Sequence, residues 1–96
     1  MRIEFESEVT RWDARVESWY FATMPEELSI EIRELPSPPR GFGSLRVQAR
    51  IGTTTWTTSI FFSGSAFVLP LKKQVRQAQG IAEGDVITVD LDILDV

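Results

Sequence analysis

The residues able to do chemistry are few and lie mostly in the last third of the chain: Lys72, Lys73 and Arg76 in LKKQVRQAQG, and Asp85, Asp90, Asp92 and Asp95 in GDVITVDLDILDV. The 96-residue chain has no cysteine and no histidine, which excludes thiolate nucleophiles, imidazole acid–base catalysis, disulfides and zinc-finger ligand sets. Hydroxyls abound in GTTTWTTS, but a nucleophile at Ser59 or Thr57 needs a base that histidine cannot provide, a part that Lys72 or Lys73 could in principle play. Two of the acids could in principle form a general acid–base pair. Asp90 and Asp92, however, alternate with Val89, Leu91 and Ile93, as expected on the wet side of a half-buried strand. With no convergent constellation, a small enzyme without metal or thiol chemistry is the weakest of three functional readings. Gly41-Phe42-Gly43 lacks both GxGxxG spacing and a P-loop lysine, and no metal or cofactor is expected.

Lys72, Lys73 and Arg76 fall at i, i+1 and i+4 of a short helix, away from a Leu71, Val75, Ala78 stripe, so they can present charge together. The leading account is a solvated face of a structural helix, its cations near the carboxyl end where the dipole favours them and paired with Glu83 or Asp85. The sharper account adds Arg46 and Arg50 from the exposed parity of a strand, if the fold brings strand and helix together. Such a surface would receive phosphate groups or a nucleic-acid backbone, with Trp56 as a stacking platform. Trp56 is otherwise expected as a barrel side chain.

The balance of charge weighs against nucleic acid. The net charge is −4, with five Lys/Arg against nine Asp/Glu in residues 1–40 and five of each thereafter. An acidic chain is a poor general binder of phosphate backbones, although a local basic patch can escape the average.

Hydrophobic periodicity supplies the elements that would position these residues. In 2–12, Ile3, Phe5 and Val9 take one parity and Arg2, Glu4, Glu6 and Glu8 the other, predicting a strand. A turn at Asp13-Ala14 leads to a second strand, VESWYFAT, and the two form a hairpin. TMPEELSIEIREL predicts a helix capped by Thr23 with Glu26, with Pro25 in its first turn and a Leu28, Ile32, Leu35 stripe. PSPPRGFG, residues 36–43, must be a loop. SLRVQARIG and TTTWTTSIFF predict a second hairpin about Gly52-Thr53. A short strand in SGSAFVLP, a helix ending on Gly80 and a last strand with Ile87, Val89, Leu91 and Ile93 inward complete the chain. Gly84 permits a positive φ and Asp85 can bond nearby amides, so this pair reads as a structural turn.

The fold class expected is mainly β: a single domain over 1–96, built as a small closed or nearly closed barrel of about six strands with two short helices. An open sheet with helices on one face is the competing architecture.

The motifs FVLPLKKxVR and GIxxGDxIxVDL, centred on Leu71-Lys72-Lys73-Gln74-Val75-Arg76, Gly80-Ile81 and Gly84-Asp85-Val86, resemble the DUF1905-like family of small β-barrels, a domain of unknown function. The Trp19 strand leading to Pro25, the strand from Val47 to Gly52, and Thr58-Ser59-Ile60-Phe61 extend the resemblance over nearly the whole chain. PSPPRGFG departs from the pattern as a long insert. A helix, a glycine-aspartate turn and a strand also resemble swapped-hairpin and double-split barrels, some of which are dimeric DNA-binding regulators. The resemblance implies a fold and no catalytic residues.

The reading is therefore a non-enzymatic binding or interaction module, with a nucleic-acid-associated regulator using the basic helix 71–79 as the alternative. A homodimer would add burial to a core of this size. No membrane partner and a cytoplasmic location are expected, since no apolar run approaches the roughly 20 residues needed to cross a bilayer and no apolar block opens the chain.

Overall fold

The computed structural model describes residues 1–13, 18–34 and 44–94. Six strands close into an antiparallel barrel, and two helices accompany them. The strands are β1 (Arg2–Asp13), β2 (Ser18–Thr23), β3 (Ser44–Ile51), β4 (Thr54–Ser63), β5 (Ala66–Pro70) and β6 (Val86–Ile93); the helices are α1 (Glu26–Arg33) and α2 (Lys73–Gln79). Around the barrel the order is β1-β2-β5-β4-β3-β6, with β6 returning to β1. The sheet is closed, not open.

Alternation decides which side chains face in. Phe5, Val9, Val47, Ala49, Ile51, Trp56, Ile60, Leu69, Ile87, Val89, Leu91 and Ile93 are buried in one continuous core. Ser7 shares that parity in β1, and its hydroxyl accepts the Thr23 amide at 2.9 Å. Below it, Gly84 N–H donates to Val9 C=O and Val9 N–H to Asp85 C=O, so the turn before β6 is stitched directly onto β1.

Two strands change partners along their length. β1 pairs with β6 through Arg2–Glu8 and with β2 through Val9–Asp13. β5 pairs with β4 only at Ala66, Phe67 and Val68, and with β2 only at Val68, Leu69 and Pro70. Peptide groups along a strand point alternately to either side. Leu71 N–H goes to Tyr20 C=O in β2, and Phe67 likewise bonds on that side, to Met24 and Ser29. The nitrogen of Pro70 therefore faces β4, where it has no hydrogen to give, and the β4–β5 ladder has already ended. Among the described residues, Thr54–Ile60 of β4 has a strand, β3, on one side only, and Ser18–Tyr20 of β2 has only β1. The barrel wall is split between them.

α2 spans that split. Its buried face is Leu71 and Val75; Ala78, expected on the same stripe, is exposed. The amino end is tied to β2 by the Leu71–Tyr20 bond, and at the carboxyl end Gln79 donates its side-chain amide to Thr54 Oγ1 at 2.8 Å. Gly52 lies beneath it at φ 59°, a left-handed backbone that favours glycine. Gly80, at φ 62°, ends the helix.

α1 corrects one expectation. Pro25 itself is the N-cap and makes no side-chain bond, while Thr23 remains in β2 opposite Val68. Strand pairing has taken the residue that the capping box required. Leu35 and the 36–43 loop lie outside the described residues, as does Ala14. The helix buries Ile32 and Ser29, and Ser29 Oγ accepts the Phe67 amide at 3.0 Å, fixing α1 to β5.

Candidate functional site

The split opens into a cavity of about 590 Å³, within the roughly 300–1,000 Å³ of small-molecule sites. Ser18, Trp19 and Tyr20 of β2 form one wall, Trp56 and Thr58 of β4 the other, and Pro70 to Lys73 with Arg76 of α2 the roof. Among the described residues three cations line it and no carboxylate does.

The structure brings Lys72, Lys73, Arg76 and Trp56 together at this cavity and places Arg46 and Arg50 elsewhere. Arg46 and Arg50 project from the outer face of β3, and Arg50 pairs with Asp90 at 2.9 Å in a separate shallow cleft with Arg2 and Asp92. The five-cation surface does not assemble around α2. Among the described residues, Lys72, Lys73 and Arg76 make no ion pair, including the pairing with Glu83 or Asp85 that the sequence suggested. Asp85 instead accepts the Ala82 amide at 2.8 Å, within the turn where Gly84 has φ 89°.

The dipole argument also holds for only one of the three. Lys72 is the N-cap of α2 and Lys73 its first residue, the end where a helix disfavours cations; Arg76 alone is in the last turn. The positions of Lys72 and Lys73 are not explained by helix stability.

Arg76 is no outward-facing charge. It is half-buried, donates Nε–H to Leu71 C=O at 3.0 Å, and lays its guanidinium 3.9 Å from the centroid of the Tyr20 ring. It is a wall of the cavity as much as a cation in it. Trp56 is 8% exposed: it belongs to the core and reaches the cavity only with part of its surface.

Sequence reasoning missed β2's contribution. Trp19 is 43% exposed at the cavity rim, sits opposite Trp12 in the β1–β2 ladder, and lies parallel to Phe21 with centroids 6.4 Å apart. The signal was the run Trp19-Tyr20-Phe21, legible as a strand but not as a wall. At its foot, Ser18 Oγ–H donates to Asp13 at 2.6 Å and Arg11 Nε–H to the same oxygen at 2.8 Å; these bonds, Ser18's foremost, hold the Asp13 carboxyl below its ordinary range. The Arg11 guanidinium is raised in turn, chiefly by its bond to Asp13.

Catalytic candidates do not converge. Asp90 faces Arg50, and Asp92 lies 3.4 Å from the chain's amino group; Asp95 is outside the described residues. Among the described residues no acidic cluster could hold a metal ion, and no helix is long and apolar enough to cross a membrane.

Fold and cavity together define a small split six-stranded β-barrel. The chain belongs to the family described as a domain of unknown function, DUF1905, whose model matches residues 5–91. No curated protein matches it.

Proposed function

We propose that this barrel is a non-enzymatic binding module and that the cavity at its split receives a small organic anion. The observation that carries the reading is the charge of the lining: Lys72, Lys73 and Arg76 and, among the described residues, no carboxylate, in a chain of net charge −4. Cations held at the unfavoured end of a helix and left without a local partner make a positive potential that a ligand can neutralise. Apolar and aromatic walls beside them, from Trp19, Tyr20, Trp56 and Leu71, match the composition of small-molecule sites.

A nucleic-acid backbone is the weaker reading. It needs cations spread along a track, and Arg50, the residue that would extend one, is engaged by Asp90. An enzymatic role lacks, among the described residues, an acid–base pair at the cavity.

The test is a thermal-shift and calorimetric comparison of small phosphates, sulfonates and carboxylates on the wild type and on a Lys72→Gln, Lys73→Gln variant. Wild-type protein is expected to gain thermal stability with organic anions, and the variant to lose at least tenfold in affinity while unfolding at the same temperature without ligand. Anion binding that survives the double substitution would place the ligand elsewhere, and no binding at millimolar concentration would remove the reading.

A further inference from the structure

Among the described residues three aromatic rings line the cavity, and two of them have little to offer a ligand. Trp56 is buried, and one face of Tyr20 is covered by Arg76. Trp19 differs: it is the most exposed of the three, and among the described residues no cation lies over it. Its ring lies parallel to that of Phe21 on the same strand, with centroids 6.4 Å apart, and Trp12 stands opposite it in the ladder. A large exposed ring at the rim of a cavity is a stacking surface.

The strand register says which charge accompanies it. Phe21 is opposite Pro70, and the Leu71 N–H bond to Tyr20 C=O at 2.8 Å carries the pairing one residue further. Lys72 still has extended backbone, at φ −70° and ψ 158°. Continuing the register by one more residue sets Lys72 opposite Trp19 on the same face, where cross-strand Cβ atoms stand about 5 Å apart. The two side chains thus leave the backbone side by side, and both residues line the cavity.

Resting on the anion-binding reading above, we infer that the ligand is a flat aromatic or heteroaromatic ring joined to an acidic group within a few bonds, its ring stacked on Trp19 and its acid held by Lys72 and Lys73. A nucleoside monophosphate and a free aromatic acid both have this chemistry. A bare sugar phosphate has only half of it.

Calorimetry on the full chain separates the parts, with four probes: adenosine 5′-monophosphate, 1-naphthoate, ribose 5-phosphate and adenosine. At least one of the two ring-bearing acids should bind ten or more times tighter than both ribose 5-phosphate and adenosine, because stacking and charge act together. Preference for the nucleotide identifies a nucleotide ligand; preference for naphthoate identifies an aromatic acid. Trp19→Leu should abolish the advantage of the ring and leave ribose 5-phosphate binding unchanged, whereas Trp19→Phe should restore part of it. Unfolding temperatures of both variants check that the fold is intact, and if Trp19→Leu unfolds, the four-probe comparison on wild type still decides. Equal binding of ring-bearing and ring-free acids, or a Trp19→Leu variant that keeps the advantage, overturns this inference while leaving the anion site standing. Loss of all acid binding overturns both.

Discussion

Arg76 offers the sharpest test of how the roof of the split is held. Its guanidinium lies 3.9 Å from the Tyr20 centroid and its Nε–H reaches Leu71 C=O at 3.0 Å, so one side chain joins α2 both to β2 and to the segment that leads into the helix. A half-buried cation over a phenol ring contributes about 1 kcal/mol. A hydrogen bond from a charged donor contributes about 1.5 kcal/mol where water can partly replace it, the lower end of the usual range. Arg76→Gln should therefore destabilise the fold by about 2 kcal/mol, which for a domain of this length lowers Tm by roughly 10 °C. Arg76→Lys is the informative control. It keeps the charge but loses the planar face and the Nε donor, and should cost nearly as much. Urea unfolding of Arg76→Gln, Tyr20→Leu and the double variant closes a cycle whose coupling energy should be about 1 kcal/mol. A coupling below about 0.3 kcal/mol, with a silent Arg76→Lys, would refute the argument that the ring and the guanidinium hold α2 across the split.

Three further perturbations probe the frame around the cavity. Ser29→Ala strands the buried Phe67 amide that now donates to Ser29 Oγ, and should cost about 1–3 kcal/mol in urea unfolding; a change too small to measure would mean that the amide finds another acceptor. At Gly84, with φ 89°, an added Cβ meets no atom within 4 Å, so the cost of Gly84→Val is backbone strain alone, about 2 kcal/mol, and that of Gly84→Ala about 1 kcal/mol. Equal stability of the valine variant would count against the turn assignment. The Asp13 carboxyl, held below its ordinary value of 3.8 mainly by the Ser18 hydroxyl, has a depressed folded-state pKa. Its contribution to stability is therefore present above the ordinary carboxylate range and is lost as pH falls through the folded pKa. Ser18→Ala should raise the Asp13 pKa in a carbon-detected NMR titration, and an unmoved titration would assign the depression to Arg11 instead.

Much of the barrel was legible because its signals are local. Inward parity in VITVDLDI depends only on neighbours two residues apart, and all four expected residues, Ile87, Val89, Leu91 and Ile93, are buried. Gly52-Thr53 marks a hairpin from its own two residues. What failed depended on partners distant in the chain. Thr23 and Glu26 have capping-box spacing, but the box loses to strand pairing with Val68, and the Thr23 amide goes to Ser7. Arg50 looked available until Asp90 came to stand opposite it across the β3–β6 ladder.

The proposed site lies on the same divide, and Pro70 is where the local and distant signals meet. A proline closing an apolar strand is visible in FVLP, but its effect depends on which neighbour its missing N–H would have served. Because that neighbour is β4, the wall opens beside Trp56 and Thr58, while pairing with β2 continues past Pro70 to Leu71, and Lys72 and Trp19 line the same cavity. Had the phase been shifted by one residue, the missing donor would have faced β2 and separated Lys72 from Trp19. One residue's backbone chemistry thus sets both the opening and the pairing of charge with ring on which the proposed ligand depends.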